Sequence, residues 1–349
     1  MEQEITLAAT LSSQTGWYGE RLREIAALSE SLTTLHRDIE ACDAPSIVMT
    51  ELQQAWQPDR ISDMKKRLMH HGIAGVVQGD NNYPELLAAI PDAPYVLYTR
   101  GSTAVLNQPY GVSCVGTRRM STYGKRVVGM LINGLVSSDC HTVSGLALGV
   151  DAEVHRASVE NGIPTVAVLG GGLDRFEPVT NAVLGRKIIE SGGCLVSEYP
   201  PGVRPQKHHF LARNRIIAGL TSLTIVVEGQ HHSGSLVTAR LALQYGREVG
   251  AVPGDVFQCT SEGPLALLRD GAWPIARTND ILDILGLDNC ISKRNSDSPL
   301  VLQLQTGMHT LDMLIEQTGM SLVDVQEQLT LLELDGLVAM TEQGEYYLK

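Results

Sequence analysis

The sequence lacks any run of the roughly 18 consecutive apolar residues that a membrane span requires, and it opens Met1-Glu2-Gln3-Glu4, acidic where a secretory signal is basic. A cytoplasmic chain without a membrane partner is expected. The six cysteines (Cys42, Cys114, Cys140, Cys194, Cys259, Cys290) form no CxxC pair, and several sit in apolar runs. That is the usage of reduced, structural small hydrophobes. Positive charge is scarce, with 27 Lys+Arg against 39 Asp+Glu and a net charge of −12, which taken whole opposes nonspecific attraction to polyanions. Phenylalanine occurs only three times.

What is present points to a folded chain. Apolar residues make up 43% and charged residues 19% of 349 residues, enough for a real core and enough length for two or three domains. The charge is unevenly spread. Residues 1–110 carry 8 basic against 14 acidic side chains, 111–285 carry 16 against 15, and 286–349 carry 3 against 10. Within the middle region, 111–220 carries 12 against 8, and this net-positive stretch is also rich in glycine loops. A polyanion is expected to dock there.

The middle of the chain alternates short apolar runs with helix-spaced ones. Val112–Gly116 precedes a helical pattern over Lys125–Val136, Thr142–Ser144 a helix from Asp151, Pro164–Leu169 a helix near Ala182–Ser191, and Leu223–Val227 a helix over Leu236–Tyr245. Further strands fit Cys194–Ser197 and Val249–Val252. Such alternation predicts an α/β fold with a doubly wound, mostly parallel, Rossmann-like sheet and ligands at the carboxyl edge of its strands. Residues 1–75 read as a small helical domain, 76–287 as the Rossmann-like domain, 288–299 as a polar linker, and 300–349 as a winged helix built on Leu311–Glu316, Ser321–Leu334 and the Gln343-Gly344 turn.

Four loops fall at the predicted carboxyl edge: Gly116-Thr117-Arg118-Arg119-Met120-Ser121, Ser144-Gly145-Leu146-Ala147-Leu148-Gly149, Gly170-Gly171-Gly172, and Ser233-Gly234-Ser235. Each is a turn when taken singly. Together they form a rim of backbone N–H groups and helix starts that favours anions. Arg118 suits a phosphate because its guanidinium can bind in a bidentate manner. Asp151 is expected at a helix N-cap with His155 one turn on, supporting the loop; no GxSxG elbow accompanies them to make a hydrolase.

The segment Lys207-His208-His209-Phe210-Leu211-Ala212-Arg213-Asn214-Arg215 combines cations with a ring, the chemistry that tracks a single strand by backbone charge and base stacking. Phe210 could equally be core, and Arg213 and Arg215 internal ion-pair partners. The pairs His208-His209 and His231-His232 suggest metal, but neighbours in extended chain point apart. No metal, cofactor or catalytic residue is expected.

In this order, YPELLAAIPDAPYVLYTRG from Tyr83, VGTRRMSTYG from Val115, VSGLALGVDAEVH from Val143, VAVLGGGLD from Val166, GCLVSEYPPG from Gly193, HHFLARNRIIAGL from His208, VVEGQHHSGSLVTA from Val226 and AVPG from Ala251 resemble the DNA-processing A (DprA/Smf) family over roughly residues 83–280. The resemblance implies an extended Rossmann-like domain that binds single-stranded DNA without sequence preference, forms a homodimer and loads RecA recombinase on incoming DNA in natural transformation, with no enzyme activity. It also implies, by analogy alone, a sterile-alpha-motif-like fold for residues 1–75. Carried over to this chain, the DNA pocket would hold Arg118, Lys207 and Phe210 with the glycine loops beside them. The full expected contact set is Gly116, Arg118, Ser121, Gly145, Gly170, Gly171, Lys207, Phe210, Arg213, Asn214, Ser233 and Gly234. The alternative reading is a Rossmann-type relative of the nucleotide phosphoribohydrolases, whose PGGxGT-type loop is replaced here by His232-Ser233-Gly234-Ser235-Leu236.

Overall fold

Residues 2–70 form five helices: α1 Glu2–Thr15, α2 Gly19–Ala26, α3 Leu32–Arg37, α4 Ser46–Ala55 and α5 Pro58–His70. Gly16 ends α1 in the left-handed region (φ 71°), where a side chain would be strained. Glu4 is buried on α1, and its carboxylate accepts the Leu32 and Thr33 N–H groups (2.7 and 2.8 Å) at the start of α3, along with the Tyr95 hydroxyl. Burial pushes this carboxyl up, but the Thr33, Tyr95 and backbone hydrogen bonds outweigh it and hold Glu4 below the usual range. The buried charge thus satisfies the orphan donors of a helix end.

The structure is a computed structural model that describes all residues except 43, 137, 177, 288–298, 305, 308, 335–337, 342–343 and 349. After the helices come β1 Ala74–Val77, α6 Glu85–Ala88, β2 Val96–Gly101, β3 Tyr110–Val115, α7 Thr122–Asn133, β4 Cys140–Ser144, α8 Val150–Glu160, β5 Thr165–Val168, α9 Ala182–Glu190 and β6 Cys194–Ser197. Then follow α10 Lys207–Ala212, α11 Asn214–Gly219, β7 Leu223–Val226, α12 Gly234–Gln244, β8 Glu248–Ala251, α13 Glu262–Arg269, β9 Trp273–Pro274 and α14 Thr278–Ile284.

Among the described residues these strands make one nine-stranded sheet in the order β1-β2-β6-β5-β4-β3-β7-β8-β9. The pairs from β6 to β9 are parallel, whereas β1 and β2 run antiparallel to their neighbours. Every residue of β4, β5, β6 and β7 is buried, so these strands carry no charged side chain and their few polar ones, such as His141, Thr142 and Ser144, are buried with the rest. One core joins Ile5, Leu11, Trp56 and Leu68 of the helices to Tyr98, Ala167 and Leu195 of the sheet, and Met1–Leu285 is a single compact unit. The antiparallel pair β1 and β2 on one side of the sheet, and the short edge strand β9 on the other, are not among the strands expected from the sequence.

From β3 the chain adds β4, β5 and β6 on one side, then returns to add β7, β8 and β9 on the other. The carboxyl ends of β3 and β7 therefore flank the point where strand order reverses, the crevice in which open α/β sheets hold ligands. Helices α7 and α12 both start earlier than their apolar spacing suggests. Ser121 and Ser233 supply N-caps, accepting N–H groups from Gly124 and Ser235, so the helices begin in polar sequence.

The second compact unit is Gly286–Lys349. It contains α15 Pro299–Leu304, β10 His309–Thr310, α16 Leu311–Thr318, α17 Leu322–Leu334, β11 Val338–Met340 and β12 Glu345–Leu348, with strand order β10-β12-β11. Leu300, Leu304, Leu314, Val325, Leu329 and Val338 form its core, a winged helix. The expected linker 288–299, apart from Pro299, lies outside the described residues, as do Gln343 of the turn and Cys290. The other five cysteines are free; burial pushes the Cys114 and Cys194 thiols up to about 12, while Cys259 is exposed, unlike a core hydrophobe. Among the described residues no helix is long and apolar enough to cross a membrane.

Candidate nucleic-acid interface

The loop after β3 is stitched to its neighbours through the backbone. The Thr117 N–H donates to the Glu228 carbonyl (2.7 Å), and the Thr117 carbonyl accepts the Val150 N–H (3.2 Å), so the ends of β3, β4 and β7 move as one. Gly116 is required by this packing, since a Cβ there would lie 2.6 Å from Val150 and 2.9 Å from the Glu228 carbonyl. Arg118, just beyond, is exposed and makes no hydrogen bond or ion pair within the described residues. Its guanidinium carbon sits 5.7 Å from the centre of the Phe210 ring.

Between these groups lies a cleft of about 270 Å³ lined by Gly116, Thr117, Arg118, Phe210, Asn214, Ser233, Gly234, Ser235 and Thr238. The amino end of α12 opens into it. Nothing lies within 4 Å of where a Gly234 Cβ would be, so the amino end of this eleven-residue helix is open there, while its Ser235 and Leu236 N–H groups donate to the Ser233 hydroxyl and carbonyl. A guanidinium, a half-buried ring and a helix dipole at one crevice make a site for a phosphate carrying a flat group.

The other expected contacts are spent inside the protein. Arg213 is buried: its Nη1 donates to the carbonyls of Gly145 (2.6 Å) and Val168, its Nε donates to Asn214 Oδ1 (3.0 Å), and its Nη2 lies 3.7 Å from Asp151. It floors the cleft with its Nε and Nη1 already donated. Arg215 likewise pairs with Glu198 (2.6 Å) and Asp92 (3.5 Å). Gly145 makes room for Arg213, whose guanidinium lies 2.1 Å from a hypothetical Cβ.

Gly170 and Gly171 are buried beneath residues 203–210. The Gly170 carbonyl meets His209 Nδ1 at 3.2 Å, and a Cβ on Gly171 would be 2.9 Å from Pro205. The close approach that these glycines permit is therefore by the chain itself. Ser121 faces away from the cleft, capping α7 and bonding the Glu228 carboxylate through both its hydroxyl and its N–H (2.9 Å). Lys207 is exposed at the first turn of α10, three residues before Phe210 and thus on the same helical side, but it is not part of the cleft lining.

Asp151 is the second residue of α8, with Gly149 at the N-cap, and its carboxylate accepts the Ala147 N–H (3.4 Å). Burial pushes the Asp151 carboxyl up against the opposing pull of Arg213. His155 Nδ1 meets Thr165 Oγ1 at 2.8 Å, and burial holds the ring down at about 3, neutral at ordinary pH. Asn181 Nδ2 donates to the Leu146 carbonyl (2.9 Å), steadying a buried leucine held at φ 54°. The Asp-His pair thus holds a strained loop rather than a reacting centre. His209 is buried, with its ring stacked on Tyr199 at 4.1 Å, whereas His208 is exposed.

Residues outside the expected contact set are Thr117, Leu211, Ser235 and Thr238, which line the cleft, and Glu228, which anchors its wall. Thr238 lies one turn after Gly234 on the same side of α12, a spacing that the sequence does display.

The family described as DNA recombination-mediator protein A matches residues 75–286, and the DprA winged helix domain matches 296–344. The chain is 40% identical over 214 residues to DNA processing protein DprA of Bacillus subtilis, covering 61% of this chain and 72% of that protein. It is 36% identical over 278 residues to protein Smf of Escherichia coli, covering 75% and 74%. Among solved structures, DNA processing protein A of Streptococcus pneumoniae superposes with a TM-score of 0.67 at 33% identity, over 81% of this chain and 97% of that one. DNA processing protein A of Helicobacter pylori, whose structure is described in terms of its single-stranded DNA binding mode, gives 0.55 at 29% identity, over 61% and 95%.

Proposed function

Starting from the fact that this chain belongs to the DNA recombination-mediator protein A family, we propose that it binds single-stranded DNA without sequence preference and mediates recombination by loading RecA on incoming strands in natural transformation. The observation that carries the reading is the pairing of Arg118 with the Phe210 ring at the mouth of a cleft into which α12 directs its amino end. A duplex hides its bases from such a ring, whereas a single strand offers both a phosphate and a stackable face. Backbone contacts and stacking also explain indifference to sequence.

The protein acts as a cytoplasmic homodimer and is not an enzyme; of the ionisable groups that line the cleft, Asp151 and Arg213 are committed to each other and to the loop, and Arg118 is left to hold a phosphate. The contact set proposed for the strand is Arg118, Phe210, Ser233 and Gly234, with Lys207 one turn away. The Rossmann-like core carries the DNA, and the unit from residue 300 onward serves protein contacts. Electrophoretic shifts with single- and double-stranded oligonucleotides at two salt concentrations test the reading, and single strands are expected to shift at lower protein concentration in both. Equal affinity for duplex, or release of free base from a nucleoside monophosphate, would sink it in favour of a phosphoribohydrolase-like site.

A further inference from the structure

Of the three phenylalanines, Phe210 lines the cleft and Phe176 packs against the core, but Phe257 is 92% exposed. It stands on the loop after β8, with Val256 beside it at 72% exposure. The loop is held firmly for one carrying so bare a ring. The Gly229 N–H donates to the Thr260 carbonyl (2.7 Å), the Phe257 N–H donates to Asp255 Oδ1 (2.9 Å), and the Tyr123 hydroxyl donates to the Pro253 carbonyl (2.6 Å). Tyr123, itself 48% exposed, belongs to the first turn of α7 and follows the Arg118 loop by five residues. An open cavity of about 630 Å³ beside Tyr123 is lined by Ser121, Thr122, Glu228, Pro253 and Asp255 as well, and Phe257 stands outside that lining.

Strand order places this loop beside the cleft. The carboxyl ends of β3, β7 and β8 are consecutive along one sheet edge, so the loop with Arg118 and Arg119, the start of α7 with Tyr123, and the loop with Phe257 succeed one another there. We propose that Phe257, with Tyr123, is a second stacking station for bases of the same single strand, extending the DNA path beyond the cleft. The inference rests on the single-strand reading above. The station carries no lysine or arginine from Pro253 to Ser261, and Asp255 stands in the loop, so its grip is by ring and not by charge.

The test is fluorescence anisotropy of the full chain with oligothymidylates of about 6 and about 20 nucleotides, lengths that bracket one module's site size. Phe257→Ala is expected to weaken the long strand roughly tenfold and to leave the short one, held by the cleft alone, unchanged, with the salt slope preserved. Phe257→Trp should restore the long-strand affinity. Thermal melting of the alanine variant should match the parent, since the ring touches little. Equal affinities for both lengths in Phe257→Ala and parent, or a loss of self-association with DNA binding intact, overturns the station and makes Phe257 a protein contact. Failure of the parent chain to bind either length overturns the single-strand reading itself and the station with it.

Discussion

Removing Arg118 and Phe210 singly and together examines the pairing on which the functional reading stands. The guanidinium lies 5.7 Å from the ring centre at an exposed site, a geometry worth about 0.5–1 kcal/mol. Phe210→Ala also removes a stacking face for one base, a loss of about 1–3 kcal/mol, or roughly 5- to 150-fold in affinity. Arg118→Ala removes one phosphate contact and should flatten the log-affinity against log-salt slope by about 0.7, while Phe210→Ala leaves that slope alone. Because each side chain positions the other, the double variant should lose less than the sum of the singles, by about 0.5–1 kcal/mol. Fluorescence anisotropy on a single-stranded oligonucleotide at several salt concentrations reads all three quantities, with melting temperature as the control. If Phe210→Ala lowers the melting temperature and leaves affinity intact, the ring is core and the stacking argument is wrong.

Arg213→Met leaves Asp151 buried without its cation and should cost about 3–5 kcal/mol of stability, seen in denaturant unfolding, while the salt slope of DNA binding stays unchanged. Deleting residues 290–349 should leave strand affinity within a few-fold, since α17 carries Asp324, Glu327 and Glu333 and no lysine or arginine; a hundredfold loss refutes this. Burial lowers His155 to about 3 and His141 to about 4 from 6.5, so the unfolded chain takes up protons first as pH falls. Stability should therefore be full above pH 6.5 and decline toward pH 4 by up to about 1.4 kcal/mol per pH unit for each ring, and a flat profile between pH 6.5 and 5 refutes the assignment.

The strands from β3 to β8 were legible because helices cover both faces of the sheet, so most of them are short, largely apolar runs without charge, several closed by glycine. The amino-terminal edge was not. β1 is four residues long, and its partner β2 starts 22 residues away, so nothing local marks the pairing. The glycines mislead in a consistent way. A glycine records that something passes close to the backbone, and at Gly145, Gly170 and Gly171 that something is Arg213, His209 and Pro205. Of the glycines in the expected contact set, Gly234 alone has open space where a Cβ would be, and the difference lies in a fold that brings residues 203–213 back over the loops. Desolvation is equally invisible along the chain: Arg118 and Arg213 both stood in the expected contact set, yet one is exposed and the other is buried, with Nε and Nη1 donated inside the protein and Asp151 beside Nη2.

That distinction changes the electrostatic expectation. The 12 basic side chains of residues 111–220 suggest a strongly charged binding face. Arg213 and Arg215 are buried in ion pairs, Arg156 is paired with Glu153, and Arg175 with Asp174. The exposed cations on the β3 loop and on the segment leading to Phe210 are Arg118, Arg119, Arg204 and Lys207. With the chain's net charge of −12 opposing approach, the strand must be held by two to four phosphate contacts aided by the α12 dipole and by stacking. Single-stranded DNA releases about 0.7 counterion per neutralised phosphate, so the full salt slope should fall between about −1.4 and −2.8. A slope steeper than about −4 would require cations from outside this sheet edge and would place the main phosphate track elsewhere on the molecule.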